Sequence, residues 1–164
     1  MLEQDRELLC LIEQDCRIPP EKLAVLTGLS VDYILEKIQQ WEDDKVIVQY
    51  RPLINWEKAG QESVSALIEV RVQPQRGAGF DKIAKRIQKF PEVRTVYLMS
   101  GGFDLTLIIE GKSMQEVALF VAEKLAPLDH VQSTATHFVL RRYKQNGVEF
   151  ITEDETPQRQ AVWP

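Results

Sequence analysis

The stretch LMSGGFDLTLIIEG, residues 98–111, decides the fold. Adjacent glycines, Gly101 and Gly102, separate a pair of apolar runs, and a lone acid, Asp104, follows at once. Apolar runs bounded by turn residues read as strands. A Gly-Gly pair between them suits a two-residue hairpin, whose central residues need positive φ. Strands are therefore predicted over 93–99 and 103–110, joined at the glycines.

Working outward, the pattern repeats on both sides. Upstream, Val64, Ala66, Ile68, Val70 and Val72 alternate with Ser65, Leu67, Glu69 and Arg71, which makes a strand with one buried face. Residues 74–79 read as a turn. Phe80, Ile83, Ala84, Ile87 and Phe90 form the stripe of an amphipathic helix ended by Pro91. Downstream, Ser113-Met114-Gln115-Glu116 is a capping box. It opens a helix expected to turn Met114, Val117, Ala118, Val121 and Leu125 inward until Pro127 breaks it. Residues 131–140 are the last strand. Strand–helix–strand, twice over, predicts a ferredoxin-like βαββαβ domain over 63–145, with an antiparallel sheet and both helices on one face. The other face is expected to carry Leu67, Thr95, Tyr97, Thr134 and Thr136, or their alternates. It is too apolar for open solvent and predicts packing against a second copy. Residues 148–151 have the character of an edge strand inside a loose C-terminal tail, 146–164.

The first fifty residues read differently, as three helices and a short strand. Leu8, Leu9, Ile12 and Cys16 share a helical face, and Pro19-Pro20 stops that helix. The next is short, with Leu23, Ala24 and Leu26, and Gly28 permits a left-handed turn after it. Ser30 is a natural N-cap for a third helix burying Val31, Ile34, Leu35, Ile38 and Trp41. Residues 46–50, VIVQY, read as a strand. Two helices joined by a Gly-containing turn and followed by a strand describe a winged helix-turn-helix over 1–50, or else a plain three-helix core. Residues 51–62 are a linker. The whole is of class α+β.

Bulk composition narrows the class. The 164 residues are 44% hydrophobic and 27% charged, as in a soluble globular protein. No apolar run is long enough to span a bilayer, and the first residues lack a signal-peptide pattern, so a cytoplasmic protein is expected. Cys10 and Cys16 have neither zinc spacing nor histidine neighbours, so reduced thiols and no metal or cofactor are expected. Charge is split unevenly: up to Glu62, seven bases face thirteen acids, a net of −6, while the remainder is +1.

Several separate motifs resemble the Lrp/AsnC, or feast/famine, family of transcription regulators. DRELLCLIEQDCRIPPEKLAVLTGLSVDYILEKIQQWEDDKVIVQY is similar to its N-terminal pattern, FPEVRTVYLMSGGFDLTLIIEG to its Val…Gly-x-x-Asp hairpin, and VQSTATHFVLRRYK to its last strand. The resemblance runs from about Leu2 to Lys144. It implies a dimer formed by pairing sheets, often assembled into octamers, and a free amino acid bound between dimers. It also implies double-stranded DNA gripped through the third helix. Lys37, Trp41 and Lys45 stand where the family often has arginine, leucine and glycine.

On this basis Ser30, Tyr33, Lys37, Gln39 and Gln40 are expected to read bases or edge the groove, with Arg17, Lys22 and Arg51 on phosphates. The third helix nevertheless sets Asp32, Glu36, Glu42 and Asp43 against Lys37 alone, which predicts salt-sensitive binding of moderate strength. At the hairpin, the N–H groups around Ser100, Gly101 and Gly102 suit a carboxylate, and Asp104 suits an α-ammonium. Thr134 and Thr136 are expected to add polar groups, and Met99, Leu98 or Phe103 to set side-chain selectivity. Two rivals stand beside this reading. One is an amino-acid-sensing assembly protein that no longer grips DNA. The other is a tetrapyrrole decarboxylase of the same architecture, disfavoured because His130 and His137 are the only histidines and no catalytic constellation is visible.

Overall fold

The computed structural model describes residues 2–61, 63–74 and 79–150. Most of the predicted 74–79 turn and the tail from 151 onward lie outside them. The chain divides into two compact units, Met1–Ile54 and Asn55–Pro164, each with its own apolar core.

In the first unit, α1 (Glu3–Gln14), α2 (Pro20–Thr27) and α3 (Val31–Asp43) enclose Leu8, Ile12, Leu23, Ile34 and Trp41. Pro20 opens α2, where its missing N–H costs nothing. Gly28 follows at φ 70°, and the Ser30 hydroxyl accepts from Tyr33 N–H at 3.3 Å, so both punctuation marks act as predicted. α1 stops well before Pro19, because Asp15 turns its carboxylate onto the backbone N–H of Arg17 at 3.0 Å. Cys16 is therefore outside the helix and exposed. Leu26 and Leu35 are also exposed, since a three-helix core covers one side of each helix and the neighbouring Thr27 and Ile34 occupy it. The wing strand expected over 46–50 is not formed. Ile47 N–H bonds back to Trp41 C=O at 3.0 Å and its side chain joins the core, while Val46 and Val48 face outward with no strand beside them.

The second unit contains β1 (Val64–Val72), α4 (Asp81–Ile87), β2 (Val93–Leu98), β3 (Leu105–Gly111), α5 (Met114–Phe120) and β4 (Val131–Phe138). The sheet order is β2-β3-β1-β4, antiparallel throughout, which is the ferredoxin-like arrangement. Ala66, Ile68 and Val70 stand opposite Ile109, Leu107 and Leu105, and Ile83, Ile87, Val117, Phe120 and Leu125 cover them from the helices. α5 runs into a π-helical turn, Val121–Leu125. That turn carries an extra residue, so buried Phe120 and Leu125 lie five apart. Within α5 the buried side is carried by Val117 and Phe120, three residues apart, rather than by Met114 and Ala118, which are exposed; Phe120 meets Phe90 edge-on at 5.5 Å.

Register assigns the faces, because residues directly opposite in a ladder point the same way. Leu67 stands against Ile108 and His137, and Glu69 against Thr106 and Ala135, so these form the helix-free face with Thr95 and Tyr97 of β2. Thr134 and Thr136 stand against Val70 and Ile68, on the helix-covered side. They do not belong to the open face; their alternates Ser133, Ala135 and His137 do.

The Gly-Gly link is also not the two-residue hairpin expected. Met99 N–H bonds to Asp104 C=O at 2.8 Å and closes a loop of four residues, Ser100 to Phe103. Of its glycines Gly101 alone has positive φ, at 150°. A two-residue hairpin lies elsewhere in the chain. Asn146 and Gly147, at φ 48° and 82°, form a type I′ turn between β5 (Lys144–Gln145) and β6 (Val148–Glu149). Residues 146–150 are thus ordered structure rather than a loose tail.

Candidate functional site

Most of the predicted site residues fall in two places, one in each unit. The first is the exposed side of α3. Ile34, Ile38 and Trp41 face the core, which turns Asp32, Glu36, Gln39 and Gln40 outward. Four of the expected base readers, Tyr33, Lys37, Gln39 and Gln40, are already held. Tyr33 O–H donates to Asp5 Oδ1 at 3.0 Å, Lys37 Nζ to Gln40 Oε1 at 3.1 Å, and Gln39 Nε2 to Asp43 Oδ1 at 3.2 Å. Ser30 is occupied by its cap. Asp5 is buried and takes Leu2 N–H on its other oxygen at 3.3 Å, so Tyr33 fastens the first turn of α3 to the start of α1. Its hydroxyl is held above the usual phenol range chiefly by that hydrogen bond. Arg17 forms a fork with Asp15 at 3.0 and 3.2 Å, which pulls the carboxyl below its usual range. Arg17 is exposed and Asp15 lies at the surface, so the fork is easily exchanged for another anion. Lys22 and Arg51 are exposed as well.

The second place is one end of the sheet, where β1 and β2 end and β3 and β4 begin. Here Asp104 is fixed twice. Its backbone N–H donates to Val70 C=O at 3.0 Å, and its Oδ2 accepts from Val72 N–H at 2.8 Å. The β1–β4 register shifts between Arg71 and Val72, and the carboxylate satisfies the Val72 donor at that irregularity. Asp104 is half-buried, not a free hairpin residue. Ser100, Gly101 and Gly102 are exposed, and a Cβ built on either glycine meets nothing within 4 Å. Positive φ therefore requires glycine at 101, while sterics require nothing at 102. Met99 is exposed and Phe103 half-buried beside them. Met99 to Asp104 thus form one cluster. Thr134 and Thr136 do not join it: β1 lies between, two strand spacings or about 10 Å across. The surface depression of about 390 Å³ between Glu92 and the start of α5 lies at the opposite end of the sheet, away from this loop.

Motif reading missed Asp5, Val72 N–H and the Asn146-Gly147 hairpin. The Asn-Gly pair is a hairpin signal on its own. Asp5 and Val72 are found only once helices and strands are packed.

A helix-turn-helix unit followed by a ferredoxin-like domain, with a donor-rich loop and a fixed acid at one sheet end, is the build of a ligand-responsive transcription regulator. Residues 65–149 match the Lrp/AsnC ligand binding domain. The chain is 44% identical over 156 residues to an uncharacterized HTH-type transcriptional regulator, YugG, of Bacillus subtilis (strain 168), covering 94% of each. It is 29% identical to the proline dehydrogenase transcriptional activator of Rhodobacter capsulatus, covering 83% of this chain and 88% of the relative. Among solved structures it is similar to a transcriptional regulator from Neisseria meningitidis in complex with L-Met, at 25% identity and a TM-score of 0.73, covering 88% of this chain and 93% of that one. The chain belongs to the Lrp/AsnC family and is an HTH-type transcriptional regulator.

Proposed function

We propose that the protein is a cytoplasmic, non-catalytic regulator that binds operator DNA through α3 and is modulated by a free amino acid at the Met99–Asp104 loop. The observation that carries this is Asp104, a carboxylate fixed in place beside exposed glycine N–H groups within the matched ligand-binding domain. A zwitterion needs both an anion to meet its ammonium and N–H donors to meet its carboxylate. The loop is open on one side in a single chain, so a neighbouring copy completes the enclosure. Pairing of the helix-free sheet faces supplies the dimer, and dimers joined at their loops give a larger ring such as an octamer. Thr134 and Thr136 then serve the site only from a neighbouring chain. On the DNA side, Ser30, Tyr33, Lys37, Gln39 and Gln40 line the groove edge, and Arg17, Lys22 and Arg51 take phosphates.

A thermal-shift screen of the twenty amino acids tests the effector site. A ligand at 100 times its Kd stabilises by about 2.7 kcal/mol. The hit is expected to vanish in Asp104→Asn, which keeps an acceptor for Val72 but loses the charge. A hit of undiminished size in that variant overturns the site. The reading as a sensor without DNA binding is favoured by the acidic first unit, and a flat mobility shift of the full chain at low salt on its own promoter region selects it.

A further inference from the structure

Phosphate neutralisation supplies most non-specific DNA affinity. The first unit is poorly equipped for it, with thirteen acids against seven bases up to Glu62. The second unit holds a different resource. Ile83 and Ile87 bury one side of α4, which turns Lys82, Lys85 and Arg86 outward, and Lys89 follows in the turn that closes the helix; all four are exposed. They recur at intervals of three or four residues, so they form a single stripe about 10 Å long. Only Asp81 opposes them on the element itself, and Arg86 meets the strongly exposed Asp129 at 3.6 Å. Among the described residues Lys82, Lys85 and Lys89 have no hydrogen-bonding or ionic partner. Such a stripe of like charges repels itself and is neutralised by a polyanion. At one phosphate per 3.4 Å of each strand, its length spans about three phosphates.

We propose that the outer face of α4 is a second DNA-contact surface, which binds the phosphate backbone of duplex flanking the operator without reading sequence. This rests on the DNA-binding reading above. It divides the work: α3 supplies discrimination, and α4 supplies the electrostatic grip that the acidic first unit lacks. Each exposed ammonium that meets a phosphate releases condensed counterion, so the contribution appears in the salt dependence.

The test compares three full-length variants with the wild type. The stripe variant is Lys82→Gln/Lys85→Gln/Lys89→Gln. The control, Lys112→Gln/Arg141→Gln/Lys144→Gln, removes the same charge from other surfaces. The reader variant is Lys37→Ala/Gln39→Ala on α3. Binding to operator-bearing and random duplexes of equal length is titrated across salt, after circular dichroism and melting show each variant folded. The stripe variant is expected to lower the slope of log K against log salt by about 2.7, equally on both duplexes. The control is expected to lower it by less, and the reader variant to lose preference between duplexes. A stripe slope equal to that of the control overturns the inference and leaves operator binding standing. Wild type that binds neither duplex overturns both.

Discussion

Tyr33, Lys45 and Tyr50 each tie the first unit together by one identifiable atom or angle. Tyr33→Phe removes a side-chain donor to buried Asp5 and is expected to destabilise the unit by about 1–3 kcal/mol, read as a lower denaturant midpoint. An unchanged midpoint would mean that water replaces the phenol. Lys45 follows α3 at φ 58°, a conformation costly for any residue with a Cβ. Lys45→Gly is expected to stabilise by about 0.5–1 kcal/mol, some of the relief being offset by the flexibility glycine adds to the unfolded chain. Tyr50 O–H donates to Glu42 at 2.9 Å; shielding of the hydroxyl end and then this bond push its pKa from 10.0 to about 12. A pKa raised on folding stabilises fully below the unfolded value and is lost as pH climbs from about 10 through 12. The midpoint should therefore fall over that window, and Tyr50→Phe should flatten that stretch of the profile.

Asp104→Ala leaves Val72 N–H without its partner at the end of β1 and is expected to cost about 1–3 kcal/mol even with no ligand present. Asp104→Asn should recover some of that loss, a difference readable by melting. Among the elements, those with long regular periods were legible in the sequence: β1 from its alternation, α3 from its stripe and N-cap, the βαββαβ order from six runs in succession. What escaped were features that depend on non-local geometry. α5 turns Val117 and Phe120 inward rather than Met114 and Ala118, a choice made by packing against Phe90 that local spacing leaves open. The 46–50 segment has strand character but, among the described residues, no strand to pair with. Thr134 and Thr136 needed the β1–β4 register, since one residue of slip exchanges the two faces. The glycine loop was visible, but the place of Asp104, which closes it against Met99, is set by bonds to β1 that local spacing does not encode.

Leu67 and Ile108 stand side by side at the middle of the sheet face turned away from α4 and α5, both half-buried. Leu67→Glu puts a charge there and, if the proposed dimer pairs these faces, is expected to shift sedimentation from dimer to monomer with the domain still folded; a dimer unaffected by it would place the contact elsewhere. The clamp on Asp104 bears on how such an assembly would meet its metabolite. A carboxylate already gripped by its own backbone has surrendered its rotational freedom during folding, so an arriving cation finds a stationary counter-charge. The same arrangement would make recognition at the proposed site perishable: fraying the last residues of β1 would free the Asp104 carboxylate while the rest of the domain is still intact.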